Sequence, residues 1–110
     1  MSTTTNHFIT VSKQGVLMAR RKGQAPVKVA TAREGLRVDT DDPAQTLLIH
    51  FEHGGGNRQM RVLTVQREAE SLPVEEFQAR FQVDDETLGR WIRAAVERAL
   101  DAAPATNQPL

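Results

Sequence analysis

The chain has 110 residues, which is close to the usual size of one folded domain and too short for two independent cores. Apolar residues make up 39% and charged residues 25%, which predicts a packed core, and the lack of cysteine excludes disulfides and thiolate metal sites. The net charge of zero combines ten Lys or Arg and five Asp or Glu in residues 1–67 with four and nine in residues 68–110. Either the basic half contacts an anion, or the two halves neutralise each other in the fold.

The two ends of the chain are expected to be disordered, over residues 1–6 and 104–110. Both are polar or contain proline, and neither has a periodic apolar pattern. The start has no basic segment followed by an apolar one, and no run approaches the roughly 18 apolar residues of a membrane span. We therefore expect a single domain over residues 7–103, a cytoplasmic location and no membrane partner.

The segment from His7 to Arg67 consists of short β-branched or alternating runs between turn signals, which predicts consecutive antiparallel strands. The six runs are FITVS, GVLMARR, PVKVAT, GLRVDT, TLLIHFEH and RQMRVLTVQ. A period of two in PVKVAT and GLRVDT sets an apolar face against a basic one, as in a sheet that is covered on one side. TLLIHF and MRVLTV alternate less cleanly, which indicates burial on both faces or a bulge. HGGGN, between them, is typical of a hairpin tip.

The pattern changes to that of helices after Arg67. Pro73, with Glu75 and Glu76 behind it, is a helix-start signal, and Asp84 is a suitable N-cap for a second helix. That second helix has the clearest periodicity in the chain. Its apolar residues are Leu88, Trp91, Ile92, Ala95, Val96, Ala99 and Leu100.

The predicted fold class is α+β, with an antiparallel sheet of about six strands followed by a short helix and a long C-terminal amphipathic helix. The long helix would lay its apolar stripe on the apolar face of the sheet. The same strands also fit a partly open barrel capped by that helix, which is the arrangement of pleckstrin-homology-like folds.

The segment FQARFQVDDETLGRWIR resembles the helix-turn-helix family, which reads DNA through its second helix. Phe77, Phe81, Val83, Leu88 and Trp91 occupy the positions at which such motifs lock the two helices together. The carboxylates of residues 84–86 open the second helix, where they would repel DNA phosphates. A pair of capped helices that closes the core is therefore the favoured interpretation.

Other sites are not indicated by the sequence. His50, Glu52 and His53 are metal-ligand residue types, but on a strand at most two of them share a face, so no metal is predicted. HGGGN leads into a strand and is not followed by lysine, unlike loops that bind nucleotide phosphates. Ser12 and Ser71 have no sequence context for nucleophilic catalysis. We therefore expect a protein that is not an enzyme and has no cofactor.

A basic set in the strand region is the main functional signal, and it favours contact with the phosphate backbone of nucleic acid. Its members are Arg20, Arg21, Lys22, Lys28, Arg37, Arg58 and Arg61. The competing hypothesis is a protein-interaction module, an adaptor or inhibitor that uses a sheet edge, the HGGGN hairpin or the acidic helical end. Edge pairing would also allow a homodimer.

Overall fold

Seven strands precede two helices in the computed structural model, which describes residues 7–55 and 59–102. The strands are β1 (His7–Val11), β2 (Val16–Arg21), β3 (Val27–Thr31), β4 (Leu36–Asp39), β5 (Thr46–His53), β6 (Met60–Arg67) and β7 (Glu70–Pro73), and the helices are α1 (Val74–Phe81) and α2 (Asp85–Ala102). The predictions for residues 1–6, 104–110 and the tip of the HGGGN hairpin lie outside the described residues.

The α+β class and the long C-terminal helix are confirmed, but the single six-stranded sheet is wrong. The strands form two antiparallel sheets, β1-β2-β3 and β4-β5-β6-β7, and in the described ranges no strand pairing joins them. The chain leaves the first sheet through a turn at Thr31–Gly35, in which the Gly35 amide donates to the Thr31 carbonyl at 2.7 Å and Gly35 has φ +83°. This turn redirects the chain, so that β4 pairs with β5 instead of folding back along β3.

Strand β7 was missed by the sequence prediction because its residues carry little hydrophobic signal. Of its four residues only Leu72 is buried, and Leu72 lies opposite Val65 of β6. The strand ends at Pro73, which is also the residue before the first turn of α1. Pro73 was thus correctly associated with the start of a helix, whereas the strand before it depends on pairing with β6.

The irregular alternation of β5 and β6 had two explanations, burial on both faces or a bulge, and the register shows a bulge in β6. His50 lies opposite Thr64 and Phe51 opposite Val62, which leaves Leu63 without a partner. Leu63 is 41% exposed. A second irregularity, between β2 and β3, leaves Val29 unpaired next to the buried Ala30. The bulges change which side chains face the core part-way along each strand.

The core joins both sheets and both helices. Its main cluster includes Leu17 from the first sheet, Phe51 from the second, Phe77 from α1 and Trp91 from α2. A smaller cluster packs the far end of α2 against the first sheet, through Val96, Leu100 and Ala19. Helix α2 is therefore in contact with β4 and also with β2 and β3.

A short turn joins the two helices, and local hydrogen bonds satisfy backbone groups at the end of α1 and the start of α2. Gln82 adopts the left-handed conformation at φ 57°, and the Val83 amide donates to the Gln78 carbonyl at 3.0 Å. The predicted cap is confirmed, since the Asp84 carboxylate accepts the Thr87 amide at 2.8 Å. Hydrogen bonds from Thr87 hold the pKa of Asp84 below its ordinary range.

None of the described helices is long and apolar enough to cross a lipid bilayer.

The turn at Gly35 supplies a test of the two-sheet arrangement. Alanine at Gly35 would adopt positive φ and place its Cβ 3.0 Å from the Leu48 side chain and 3.1 Å from the Ile49 carbonyl oxygen. Gly23 also has positive φ, at +78°, but a Cβ there meets nothing within 4 Å. We expect Gly23→Ala to lower the free energy of unfolding by about 1 kcal/mol and Gly35→Ala by at least about 1 kcal/mol more. Urea unfolding measures both, and equal losses would contradict a tight contact at the corner between the sheets.

Candidate nucleic-acid interface

The first sheet has one face turned to the core and one turned to solvent. In β1, Val11 is buried and Ile9 packs on the core, whereas Phe8 and Thr10 are exposed. Cross-strand pairs extend this exposed side, because Phe8 lies opposite Arg20, and Met18 lies between Thr10 and Lys28. We call the surface formed by Phe8, Thr10, Met18, Arg20 and Lys28 the outer face of the first sheet.

An exposed aromatic ring lies beside a cation on this outer face. Phe8 is 55% exposed, which makes it the most exposed large apolar residue in the described ranges. The Arg20 guanidinium carbon is 5.4 Å from the centroid of the Phe8 ring, within the range of a cation–π contact. Strand spacing separates the Cα atoms of Arg20 and Lys28 by about 8 Å. Two cations and one ring therefore lie within reach of a single extended ligand.

The charge of the outer face has one sign. Residues 7–33 contain three Lys, three Arg and no Asp or Glu, so none of the three strands supplies a carboxylate. Within the part of the chain that the structure describes, no ion pair involves Arg20, Lys28 or Lys22, which is exposed in the turn after β2. Their positive charge is thus available to an anion from outside.

The opposite side of the same sheet is neutralised by α2. The Arg21 guanidinium donates to the carboxylates of Glu97 at 2.6 Å and Asp101 at 2.8 Å. The His7 imidazole, whose side chain is 3% exposed, also forms a hydrogen bond with Glu97. The hydrogen bonds to Glu97 and Asp101 raise the pKa of Arg21, and the hydrogen bond from Arg21 lowers the pKa of Glu97. Arg21, predicted as a phosphate contact, instead faces α2 and helps to attach it.

The remaining predicted contacts lie on the second sheet or outside the described residues. Arg37 is exposed on β4 and Arg61 on β6, where Arg61 donates to the Glu52 carboxylate at 3.1 Å. Arg58 lies outside the described residues. The structure therefore brings Arg20 and Lys28 together, with Lys22 in the adjoining turn, and places Arg37 and Arg61 on a different sheet.

The two halves of the sequence neutralise each other in part. Ion pairs between the two halves of the sequence join Arg21 to Glu97, Arg90 to Asp41 and Arg98 to Asp39. The hydrogen bonds of Arg90 and Trp91 hold the pKa of Asp41 below its ordinary value. Helix α2 accordingly forms ion pairs with the surfaces that it covers, whereas the outer face of the first sheet keeps an excess of positive charge.

The helix-turn-helix-like segment closes the core in this structure. Phe77, Val83, Leu88 and Trp91 are all buried. At the start of α2, Asp84, Asp85 and Glu86 are exposed, and Arg90 in the next turn donates to Asp41 through its two terminal nitrogens, Nη1 and Nη2. A phosphate that approached this end of α2 would meet carboxylates first. The segment is therefore not where we place the interface.

The histidine-containing strand end has internal partners. Glu52 accepts Arg61, and the Nδ1 atom of His53 accepts the Gly55 amide at 3.2 Å. Across residues 7–55 and 59–102, no three His, Asp or Glu side chains are grouped to hold a metal ion.

A cleft of about 250 Å³ lies between α1, α2 and the β4–β5 turn. Leu47, Phe77 and Trp91 contribute apolar walls. At its polar edge, Asp41 accepts the Trp91 indole N–H at 3.0 Å, and the Arg67 guanidinium stacks 4.9 Å above the Phe81 ring. Since Asp41 already accepts hydrogen bonds from Arg90 and Trp91, the cleft is a weaker candidate than the outer face.

No protein-family model matches the chain, and no curated protein or solved structure is significantly similar to it.

Phe8 is the residue of the outer face that sequence reasoning missed. Most aromatic side chains were assigned to the core, but β1 has a period of two that places Phe8 and Thr10 opposite Ile9 and Val11. The absence of any carboxylate before Glu34 was a second available signal. Together they mark a strand face that is aromatic and positively charged.

Acid should weaken the attachment of α2 to the first sheet. Hydrogen bonds with Arg21 and His7 lower the pKa of Glu97 in the folded protein below its ordinary value of 4.5, so their contribution to stability is present above that value and is lost as pH falls through the folded pKa. We expect Glu97→Gln to lower the free energy of unfolding at pH 7 by about 1 kcal/mol and to make its decline in acid shallower. Urea unfolding between about pH 3 and 7 checks both effects.

Glu34→Gln is the matched control for this measurement, because Glu34 is exposed in a turn and forms no ion pair within the described residues. The control should retain the wild-type stability at pH 7. An acid decline in Glu97→Gln as steep as in the wild type would show that other carboxylates account for it.

Proposed function

We propose that this protein is a small non-enzymatic nucleic-acid-binding protein that contacts the phosphate backbone through the outer face of its first sheet. The observation that carries the proposal is a face without carboxylates, on which Arg20 of β2 lies opposite an exposed Phe8 of β1 and Lys28 lies on β3. Phosphate contact by Lys and Arg supplies most of the affinity in sequence-independent binding. Lys22 extends the positive charge beyond the end of β2.

The distribution of paired and unpaired cations supports this choice of surface. Arg21, Arg90 and Arg98 bind carboxylates within the chain, and Arg61 binds Glu52 on the second sheet. A cation that already has a carboxylate partner gains less from a phosphate, because the first pair must be broken. Arg20 and Lys28 lie on the solvent side, and a phosphate could bind them without breaking an ion pair among the described residues.

The chemistry of the face supports binding and not catalysis. Its side chains are a phenyl ring, a thioether, a hydroxyl and two cations. Nucleophilic catalysis needs a base beside the hydroxyl, and the cross-strand neighbour of Thr10 is Met18. These groups can make apolar contacts, stack on a planar ligand and attract an anion.

A protein-interaction module is the competing proposal, and its surfaces have less support. In the acidic helical end, Glu97 and Asp101 are bound to Arg21. The tip of the HGGGN hairpin lies outside the described residues. A nucleic-acid partner accounts better for a surface with positive charge alone.

Removal of charge from the outer face should weaken binding. We expect Arg20→Gln/Lys28→Gln to reduce the affinity for labelled oligonucleotides and to reduce the slope of log K against log salt by roughly 1.4, from two lost single-strand contacts. Arg37→Gln/Arg61→Gln is the matched control, because it removes the same charge from the second sheet. Fluorescence anisotropy at about 50 and 200 mM salt measures both, as salt dependence reports counterion release.

Two results would count against the proposal. The first is no binding of DNA or RNA at about 50 mM salt with protein up to about 100 μM, a concentration at which non-specific binding is normally visible. The second is an equal loss in the two double variants, which would indicate a general effect of net charge and not a contact made by the first sheet. If no oligonucleotide binds, a protein partner would be sought by pull-down.

A further inference from the structure

We infer that Phe8 is a base-stacking platform, and that the ligand of the outer face is therefore single-stranded nucleic acid. This inference rests on the proposed function and specifies its ligand. Proteins that bind single strands without sequence preference combine cations along the backbone with aromatic rings on which bases stack. The outer face presents both groups on adjacent strands.

The exposure of Phe8 is exceptional among the aromatic residues of this chain. Phe51, Phe77 and Trp91 are 1%, 3% and 8% exposed, and each lies in the core. Phe81 is half-buried, with the guanidinium groups of Arg67 and Arg80 over its ring. Phe8 alone of these five has more than half of its surface in water. Core packing therefore does not account for a phenyl ring at this position.

The neighbours of Phe8 suit a stacked base better than an apolar partner. Arg20 lies directly opposite on β2, with its guanidinium 5.4 Å from the ring centroid. Thr10, two residues along β1, presents a polar side chain on the same face, and Lys28 lies on β3. A base on the ring would thus place its own phosphate, or the adjacent one, beside a guanidinium.

Duplex DNA does not offer what this face would bind. Its bases are already stacked on one another, so an aromatic ring on a strand reaches a base plane only after the duplex is opened. The edges of the bases are read by elements that enter a groove, such as a helix. The first turn of α2, the end of the helix pair that would enter a groove, carries exposed Asp85 and Glu86. Single-stranded nucleic acid has free base planes and therefore avoids both obstacles.

A second copy of the chain is a poor occupant of the outer face. Self-association through this face would bring Arg20 and Lys28 of two copies together, and no strand of the first sheet supplies a carboxylate to separate them. Like charges placed together across an interface oppose association. Phe8 is also a single exposed ring and not part of a broad apolar patch.

The experiment compares oligonucleotides with free bases, without bases and with paired bases. Fluorescence anisotropy is measured for a labelled 12-nucleotide single strand, an abasic strand of the same length and a duplex, with wild type, Phe8→Leu and Phe8→Trp. We expect Phe8→Leu to weaken single-strand binding roughly 5- to 150-fold, the loss of one stacked base. The abasic strand should bind wild type and Phe8→Leu equally. Phe8→Trp should retain the wild-type affinity, and the fluorescence of the new indole should be quenched on binding.

Leu63→Ala is the matched control, because it removes an exposed apolar side chain from the bulge in the second sheet. It should leave single-strand affinity unchanged. Circular dichroism and urea midpoints confirm that each variant is folded, which is expected for changes at exposed positions. The salt dependence of Phe8→Leu should match that of the wild type, since no phosphate contact is removed.

The possible failures separate the inference from the proposed function. If Arg20→Gln/Lys28→Gln weakens binding and Phe8→Leu does not, the stacking role is overturned and the phosphate contact stands. The inference is also overturned if the wild type binds the duplex more tightly than the single strand, or binds the abasic strand as tightly as the strand that carries bases. If no oligonucleotide binds, both proposals fail. Sedimentation that shows a wild-type dimer abolished by Phe8→Leu would assign the ring to self-association instead.

Discussion

The packing of α2 across both sheets is the interaction on which the rest of the structure depends. Trp91 and Ala95 lie in the cluster that contains Phe51 and Val38 of the second sheet, and Leu100 packs against Ala19 of the first. Because no strand pairing links the two sheets in the described ranges, their relative placement relies on side-chain packing and on this helix. Burial of such an apolar stripe is the main stabilising contribution of an amphipathic helix.

The same helix determines which charges remain available. Its carboxylates at Glu97 and Asp101 lie against Arg21, and its arginines at Arg90 and Arg98 lie against carboxylates of Asp41 and Asp39. The charges of the covered surfaces are therefore paired within the protein. The first sheet is left with an outer face whose cations have no partner among the described residues, so the electrostatic character of this face follows from where α2 lies.

Much of the fold could be predicted from local patterns. The two-residue period of β3 and β4 and the helical spacing of α2 depend on neighbours in the sequence, and each appears at the predicted place. The N-cap at Asp84 depends on a hydrogen bond to Thr87 three residues later. Strand β7 could not be predicted, because ESLP becomes a strand only through pairing with β6. The division into two sheets could not be predicted either, because it depends on the direction in which the chain leaves the turn at Gly35.

The sequence by itself determined the α+β class, the amphipathic long helix and the accumulation of cations before Glu34, because all three are properties of residues close together in the chain. Only the tertiary structure decided how those cations are divided. Arg20 and Arg21 are adjacent in sequence, yet the alternation of β2 and the position of α2 place one beside an exposed Phe8 and the other in an ion pair with Glu97. The partner of a charged side chain is set by contacts between distant segments, and no local pattern encodes them.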